Sequence, residues 1–492
     1  MEVISSWRPL GAVLVSIGAF FLILATGEKR PNLREAWSVG AAIVKFLLVF
    51  SLRYPVLEGK IVECRLFPIA PGADLLLRVD SFGLLFGLVA SFLWIFTTFY
   101  SIGYMRGLAA ANQTRYFACF ALALSATIGV AFSGNLITFY IFYEILTIST
   151  YPLVIHKETE EALRAGRKYL TYTLTAGVFL LFSIALTQYL AGTTGFKAGG
   201  FLEGVASPKV LTLLFVTFMI GCGTKAAIMP LHSWLPTAMI APTPVSALLH
   251  AVAVVKAGVF GCVRILGYVF GPELLRQLGL IVPLGLVTSA TIIVASVFAL
   301  SADNLKRRLA FSTISQLSYI ILGVALFTPD SFKGGLLHIP FHAFMKITLF
   351  FCAGAIYVTT HKENVSELDG IGKAMPLTLG AFAIGAFGMV GVPPICGYLS
   401  KWYLCVGTVE AHKPLFLGVY LSSALLNAAY FLPIVYNGFF KGEGGPVKEA
   451  SPFMVISLLI TAAGAFVLGI FPDFLLKVSR IASYAMTEVL GG

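Results

Sequence analysis

Runs of about twenty residues with almost no charge recur from one end of this chain to the other, and they leave it few ways to fold. A helix rising 1.5 Å per residue needs about twenty residues to cross a bilayer's hydrocarbon. Counting the runs gives about fourteen spans, at 8–26, 36–52, 81–103, 115–132, 135–155, 168–190, 210–235, 242–268, 278–300, 308–327, 333–358, 375–403, 414–439 and 453–476. The chain has 492 residues, 58% hydrophobic and 12% charged, whereas soluble domains carry about 25% charged residues. The expected fold class is therefore an all-α polytopic membrane protein. The connection 53–80, with Pro55, Pro68 and Pro71, is expected to lie on the membrane surface. The first run is expected to be a helix, not a removed signal peptide.

The net charge of +11 is scattered over short loops, which argues for the positive-inside rule and against a nucleic-acid surface. Clusters such as Lys29/Arg30/Arg34, Arg164/Arg167/Lys168 and Lys306/Arg307/Arg308 fall on one side when both termini are placed outside. The chain is thus expected in the cell membrane, multi-pass, with both termini on the outer side. Seven cysteines show no CxxC pair, and no glycine-rich nucleotide motif is present. No cofactor and no metal site is expected on this chain.

Charges inside the spans carry the functional information. A Lys, Asp or Arg at a helix centre costs roughly 2.5–3.5 kcal/mol on insertion scales, so each calls for a reason. Glu144 stands near the middle of its span, too short to reach the interface. Lys225 is followed by Pro230, which lacks an N–H and clashes with the carbonyl at Ala226, so the helix is expected to break beside the lysine. Irregular backbone at membrane depth is tolerated where protein or a water-filled cavity surrounds it. Pro393, Pro394 and Lys401 repeat the device, and GCGTK (221–225) aligns with GYLSK (397–401). Two interrupted segments in corresponding positions of two halves point to an inverted-repeat transporter. His338, His342 and Lys346 follow at i, i+4 and i+8 on one helix face, a pattern that suits a hydrogen-bonded proton path. His250 and Lys256 share another span, and His232 past the first break could connect Lys225 to an aqueous face. Arg264, near a span end, is expected to snorkel. Lys45 is deep, with no role beyond a possible subunit contact. The polar stretch FSTISQLSYIILG (311–323) offers groups to hydrate the second half. Glu144 near Lys225 would hold that lysine charged. The competing reading of each charge is a buried structural pair.

Three segments also carry a resemblance. PLHSWLPTAMIAPTPVSALLHAVAVVKAGVF, DNLKRRLAFSTISQLSYIILG and GVPPICGYLSKWYL resemble the antiporter-like subunits of respiratory complex I and the large subunits of Mrp-type sodium/proton antiporters, over roughly 75–440. The SKWY context of Lys401 is similar to that in archaeal membrane-bound hydrogenases and sulfane reductases. The resemblance implies fourteen helices with two inverted five-helix repeats and two broken helices. The repeats would be 115–268 and 278–439, flanked by helices in 1–114 and 440–492. It implies Glu144 and Lys225 as a first-half pair, His250 and Lys256 as linking groups, Lys346 as connector and Lys401 as the terminal proton-exchange lysine. Partners would be related antiporter-like and small membrane subunits, with a peripheral iron–sulfur redox module.

The chain is thus expected to be a proton-translocating subunit of a redox-driven pump, electron transfer lying in other subunits. The alternatives are the large subunit of an Mrp-type Na+/H+ antiporter, a stand-alone secondary transporter and a structural anchor.

Overall fold

Helix starts in the computed structural model, which describes residues 2–70, 73–442 and 447–491, follow the capping chemistry of the sequence. Asp80 accepts from the Gly83 N–H at 2.8 Å and opens the helix Ser81–Gly107. Asn135 does the same for Leu136–Val154 through Thr138 at 2.7 Å, and Asn304 for Leu305–Ala325 through Arg307 at 3.0 Å. Thr328 and Ser331 form a capping box before Pro329–Thr360, with proline in the first turn where its missing N–H costs nothing.

Among the described residues twelve helices are long and apolar enough to cross a membrane, and they coincide with twelve of the expected spans. The other two, 242–268 and 375–403, are assembled from shorter pieces. Helices Leu305–Ala325 and Pro329–Thr360 run through the middle of the molecule, each with an apolar 18-residue stretch that is wholly buried. At 32 residues the second of these is about 48 Å long, more than the ~30 Å of hydrocarbon. Around them the outer helices turn large apolar side chains outward, such as Val178 at 67% and Leu425 at 74% exposure. Lipid tails are as apolar as leucine, so such a surface needs no covering.

The expected all-α polytopic fold is what the structure has, with one small sheet added at a bundle end. The connection after Ser51 holds a short helix, Arg53–Leu57, and then two strands, Ile61–Ala70 and Ala73–Val79, paired antiparallel. Val3–Ser5 adds a third strand, parallel to the first of them. Alternating side chains in 61–67 suit a strand, and the register shifts around Pro68, which cannot donate to a ladder. A further short element lies at the other end of the chain. The last apolar helix stops at Ile470, and a separate helix, Val478–Leu490, follows. It buries Val478, Ile481, Ala482, Ala485 and Val489 on one face and, at 13 residues, is too short to cross. Arg53 donates to the Leu475 carbonyl at 2.5 Å. Sheet and terminal helix thus share one end of the bundle, called here the terminal face.

Candidate functional site

The first break lies where Pro230 places it. Helix Pro208–Lys225 ends on the lysine, Ala227 takes a left-handed φ of 57°, and helix resumes only at Trp234. The exposed backbone is satisfied by protein: the Met229 N–H donates to Thr291 Oγ1 at 3.1 Å, and Trp234 Nε1 donates to the Thr224 carbonyl at 2.8 Å. Lys225 is fully buried. Its ammonium donates to the Tyr143 carbonyl at 2.5 Å and lies 3.2 Å from the centre of the Tyr143 ring. Helix Val254–Arg264 packs directly against this helix end because Gly258 has no Cβ. One there would stand 2.2 Å from the Ala226 nitrogen.

Glu144 follows Tyr143 on the same helix and is half-buried against Gly177, where a Cβ would come within 2.8 Å of its Oε1. Glu144 and Lys225 are near enough for each charge to act on the other. They form no ion pair within 4.0 Å among the described residues, so the expected pair is a neighbourhood and not a contact.

The second break separates Pro376–Val390 from Cys396–Glu410. Gly391, at φ 101°, makes the turn; a side chain there would be strained and would meet the Lys401 stem at 3.1 Å. Lys401 reaches back to the last carbonyls of the preceding helix, Met389 at 2.5 Å and Val390 at 3.2 Å. A cation at a helix C-terminus is favoured because the final carbonyls lack helical partners.

Lys401 is joined to the molecule's centre by polar side chains. Its neighbour Ser400 lies 2.8 Å from His338 Nδ1, and His338 Nε2 lies 3.0 Å from Gln316 Oε1. An amide oxygen only accepts, so Nε2 carries a hydrogen toward Gln316, while the Ser400 hydroxyl lies between Nδ1 and the Gly397 carbonyl, 3.2 Å away. The His342 ring is 5.9 Å from that of His338. One turn further, Lys346 donates to Ser312 Oγ at 2.9 Å, and Tyr430 donates to the same hydroxyl at 3.1 Å. The polar stretch expected to hydrate this half supplies both Ser312 and Gln316. Lys256, 2% exposed, acts electrostatically on both His338 and Lys346, as does Lys401.

The structure therefore gathers the expected residues into two groups. Glu144 and Lys225 form one; Lys256, His338, Lys346 and Lys401 form the other, with His342 beside them. The two meet where Gly258 touches the end of the Lys225 helix. His250 falls in a π-helical turn, Leu248–Val252, which sequence reading did not anticipate; its side chain lies outside the described residues. His232 lines an open cleft of about 590 Å³ on the face opposite the termini.

Two expectations fail. Arg264 does not snorkel: it is 1% exposed and bidentate to Asp80 at 2.6 and 2.8 Å, with Phe82, Phe260 and Tyr268 around the guanidinium. Lys45 does not face a subunit contact: it is fully buried within the chain, 4.6 Å over the Trp94 ring. Glu488 of the terminal helix accepts from the Ser81 hydroxyl at 2.6 Å. Burial and then the Asp80 charge push its carboxyl up to about 7. Sequence reading also missed Tyr143, Tyr430 and Asn427. The last two stand three residues apart within an apolar span, a spacing that could have flagged them.

Comparison with known proteins identifies the family and the fold. Residues 133–427 match the family described as NADH:quinone oxidoreductase/Mrp antiporter, transmembrane. NADH-quinone oxidoreductase subunit N of Desulforudis audaxviator is 32% identical over 408 residues, 79% of this chain and 80% of that protein. The A1 component of a Na(+)/H(+) antiporter of Staphylococcus aureus is 32% identical over 437 residues, 82% of this chain. A component of a probable K(+)/H(+) antiporter of Rhizobium meliloti is 31% identical over 401 residues, 80% of this chain. The chain spans only 53% and 39% of those two antiporter proteins. Among solved structures, a chain of the Mrp complex from Dietzia sp. superposes with a TM-score of 0.85 at 22% identity, covering 99% of both chains. A chain of the membrane-bound sulfane sulfur reductase, an archaeal respiratory membrane complex, gives 0.85 at 23% identity, covering 99% of this chain and 98% of that one.

Proposed function

The chain belongs to the NADH:quinone oxidoreductase/Mrp antiporter transmembrane family, and on that premise we propose that it is the proton-translocating subunit of a multi-subunit, redox-driven ion pump. The observation that carries the reading is the buried string at the centre of the bundle. Lys256, Lys346 and Lys401 each act electrostatically on His338, and Lys256 and Lys401 on Lys346, while hydroxyl and amide groups bond His338, Lys346 and the neighbour of Lys401. Ionisable groups so placed pass protons by successive protonation along hydrogen bonds and water. Lys225 and Glu144 are the first-half station, and the cleft beside His232 is its access to one aqueous face.

In this reading residues 115–268 and 278–439 are the two inverted repeats, with both termini on the outer side. Redox cofactors belong to partner subunits, including an iron–sulfur module. Purification from native membranes, identification of co-purifying subunits and reconstitution into liposomes test the proposal. Redox-driven acidification lost in Lys401→Ala, with the complex intact, supports it. Acidification unchanged in that variant overturns it. A second reading, the large subunit of a cation/proton antiporter, is favoured by the likeness to the sodium/proton relative. It predicts small membrane subunits alone among the partners.

A further inference from the structure

The cleft at His232 holds more positive charge than proton access requires. Lys157, Lys168, Lys306 and Arg307 line it, against the carboxylates of Glu161 and Glu363. Among the described residues none of the four cations is in an ion pair. Lys168 donates to Thr237 Oγ1 at 3.2 Å and Lys306 to the Ala241 carbonyl at 3.0 Å, both neutral acceptors. Four cations drawn from three separate segments into one concavity, against two carboxylates, leave a net positive charge that favours an anionic occupant.

The shape of the opening selects the kind of anion. A second hollow of about 470 Å³ shares Asn304, Arg307 and Phe311 with the first and continues to Phe298. Phe298 is 43% exposed and lies on the outward flank of helix Ile281–Ser301, with Val294, Val297 and Leu300 also exposed. The basic cleft thus opens sideways onto a lipid-facing helix, at the bundle end where that helix stops. A small soluble anion needs no apolar exit, whereas a phospholipid needs one for its chains.

We propose that this cleft is a binding site for an anionic phospholipid. Its phosphate is held between Lys168, Lys306 and Arg307, and its acyl chains leave over Phe311 and Phe298. The cleft itself carries this inference, independently of the proton route. Occupied, the site would offset the cationic field that a proton meets on its way to His232.

Native mass spectrometry of the intact complex, incubated with equal amounts of phosphatidylglycerol and phosphatidylcholine, tests it. The wild type should retain phosphatidylglycerol preferentially. Each interfacial Lys or Arg contributes about 1 kcal/mol toward an anionic membrane lipid, so Lys168→Gln and Arg307→Gln should each lower that preference about fivefold. Lys168→Arg should retain it, which separates charge from misfolding. Equal retention of the two lipids, or a preference untouched in the double glutamine variant, overturns the proposal. Displacement of phosphatidylglycerol by excess inorganic phosphate would assign the cleft to a free anion. A cross-link from Lys168 to a neighbouring protein of the complex would assign it to a protein contact. Either result overturns the lipid.

Discussion

The two breaks place a lysine in similar surroundings and answer its charge differently. Lys225 and Lys401 each donate to a backbone carbonyl at 2.5 Å beside an aromatic ring. At the first break Glu144 stands one residue beyond the residue whose carbonyl accepts, a full opposite charge within reach. At the second, among the described residues, no carboxylate acts on Lys401. The partial charges of a helix C-terminus hold it, and its neighbour Ser400 opens onto His338 and Gln316. A carboxylate holds an ammonium until one of the two changes protonation. Backbone dipoles hold it with less charge but never titrate. Under the proposed route the first site is therefore a switch and the second an exit.

Removing either lysine gives the largest effect. Lys225→Ala or Lys401→Ala should lower redox-driven acidification of liposomes about a hundredfold, the low end of what a positioned proton carrier contributes. A lysine that proved dispensable would break the symmetry of the two stations. Glu144→Gln comes next and divides them. It removes the counter-charge from the first site alone, and a loss of one pKa unit's worth of interaction corresponds to about a tenfold slower rate. Pumping in Glu144→Gln at the wild-type rate would show that the distance beyond 4.0 Å already isolates the two charges.

The breaks were legible in the sequence because charge inside an apolar run is expensive, so Lys225 and Lys401 had to have a local reason visible within a few residues. Pro230 and Pro393–Pro394 supplied it. Partners distant in sequence were not legible: Arg264 looked like a snorkelling side chain because Asp80 stands 184 residues away. Nor were backbone groups, since the Tyr143 carbonyl that holds Lys225 has no residue-type signature. The hairpin in 61–79 was hidden by its prolines, which read as a loop until the register shift at Pro68 explains them. The π-helical turn at Leu248–Val252 has no composition signal, and it interrupts the span that carries Lys256.

A smaller effect sharpens the exit side. Ser400→Ala removes the hydroxyl between the Lys401 helix and His338 while leaving both titratable groups in place. A typical hydrogen bond is worth about 1 kcal/mol net, so the pumping rate should fall about fivefold, with the complex still fully assembled. A fall as large as that of Lys401→Ala would mean the serine positions the lysine, and the two breaks would then differ less than their partners suggest.

The terminal face provides the baseline against which both breaks are judged, and its expected effect is the smallest. Glu488 accepts from Ser81 beside the Asp80–Arg264 pair, and its carboxyl is raised from 4.5 to about 7. Between those values the docked helix binds more protons than the undocked one. Docking of Val478–Leu490 is thus strongest at the acidic end of that window and weakens as pH rises through about 7. Hydrogen exchange at amides 481–489, corrected for intrinsic rates, should lose protection progressively between about pH 5 and pH 7 and level off above that, and Glu488→Gln should remove the dependence. The same variant should leave pumping intact, because Glu488 belongs to neither station. Pumping that followed Glu488 titration would instead tie the terminal face to the route through Arg264, which shares the helix Val254–Arg264 with Lys256.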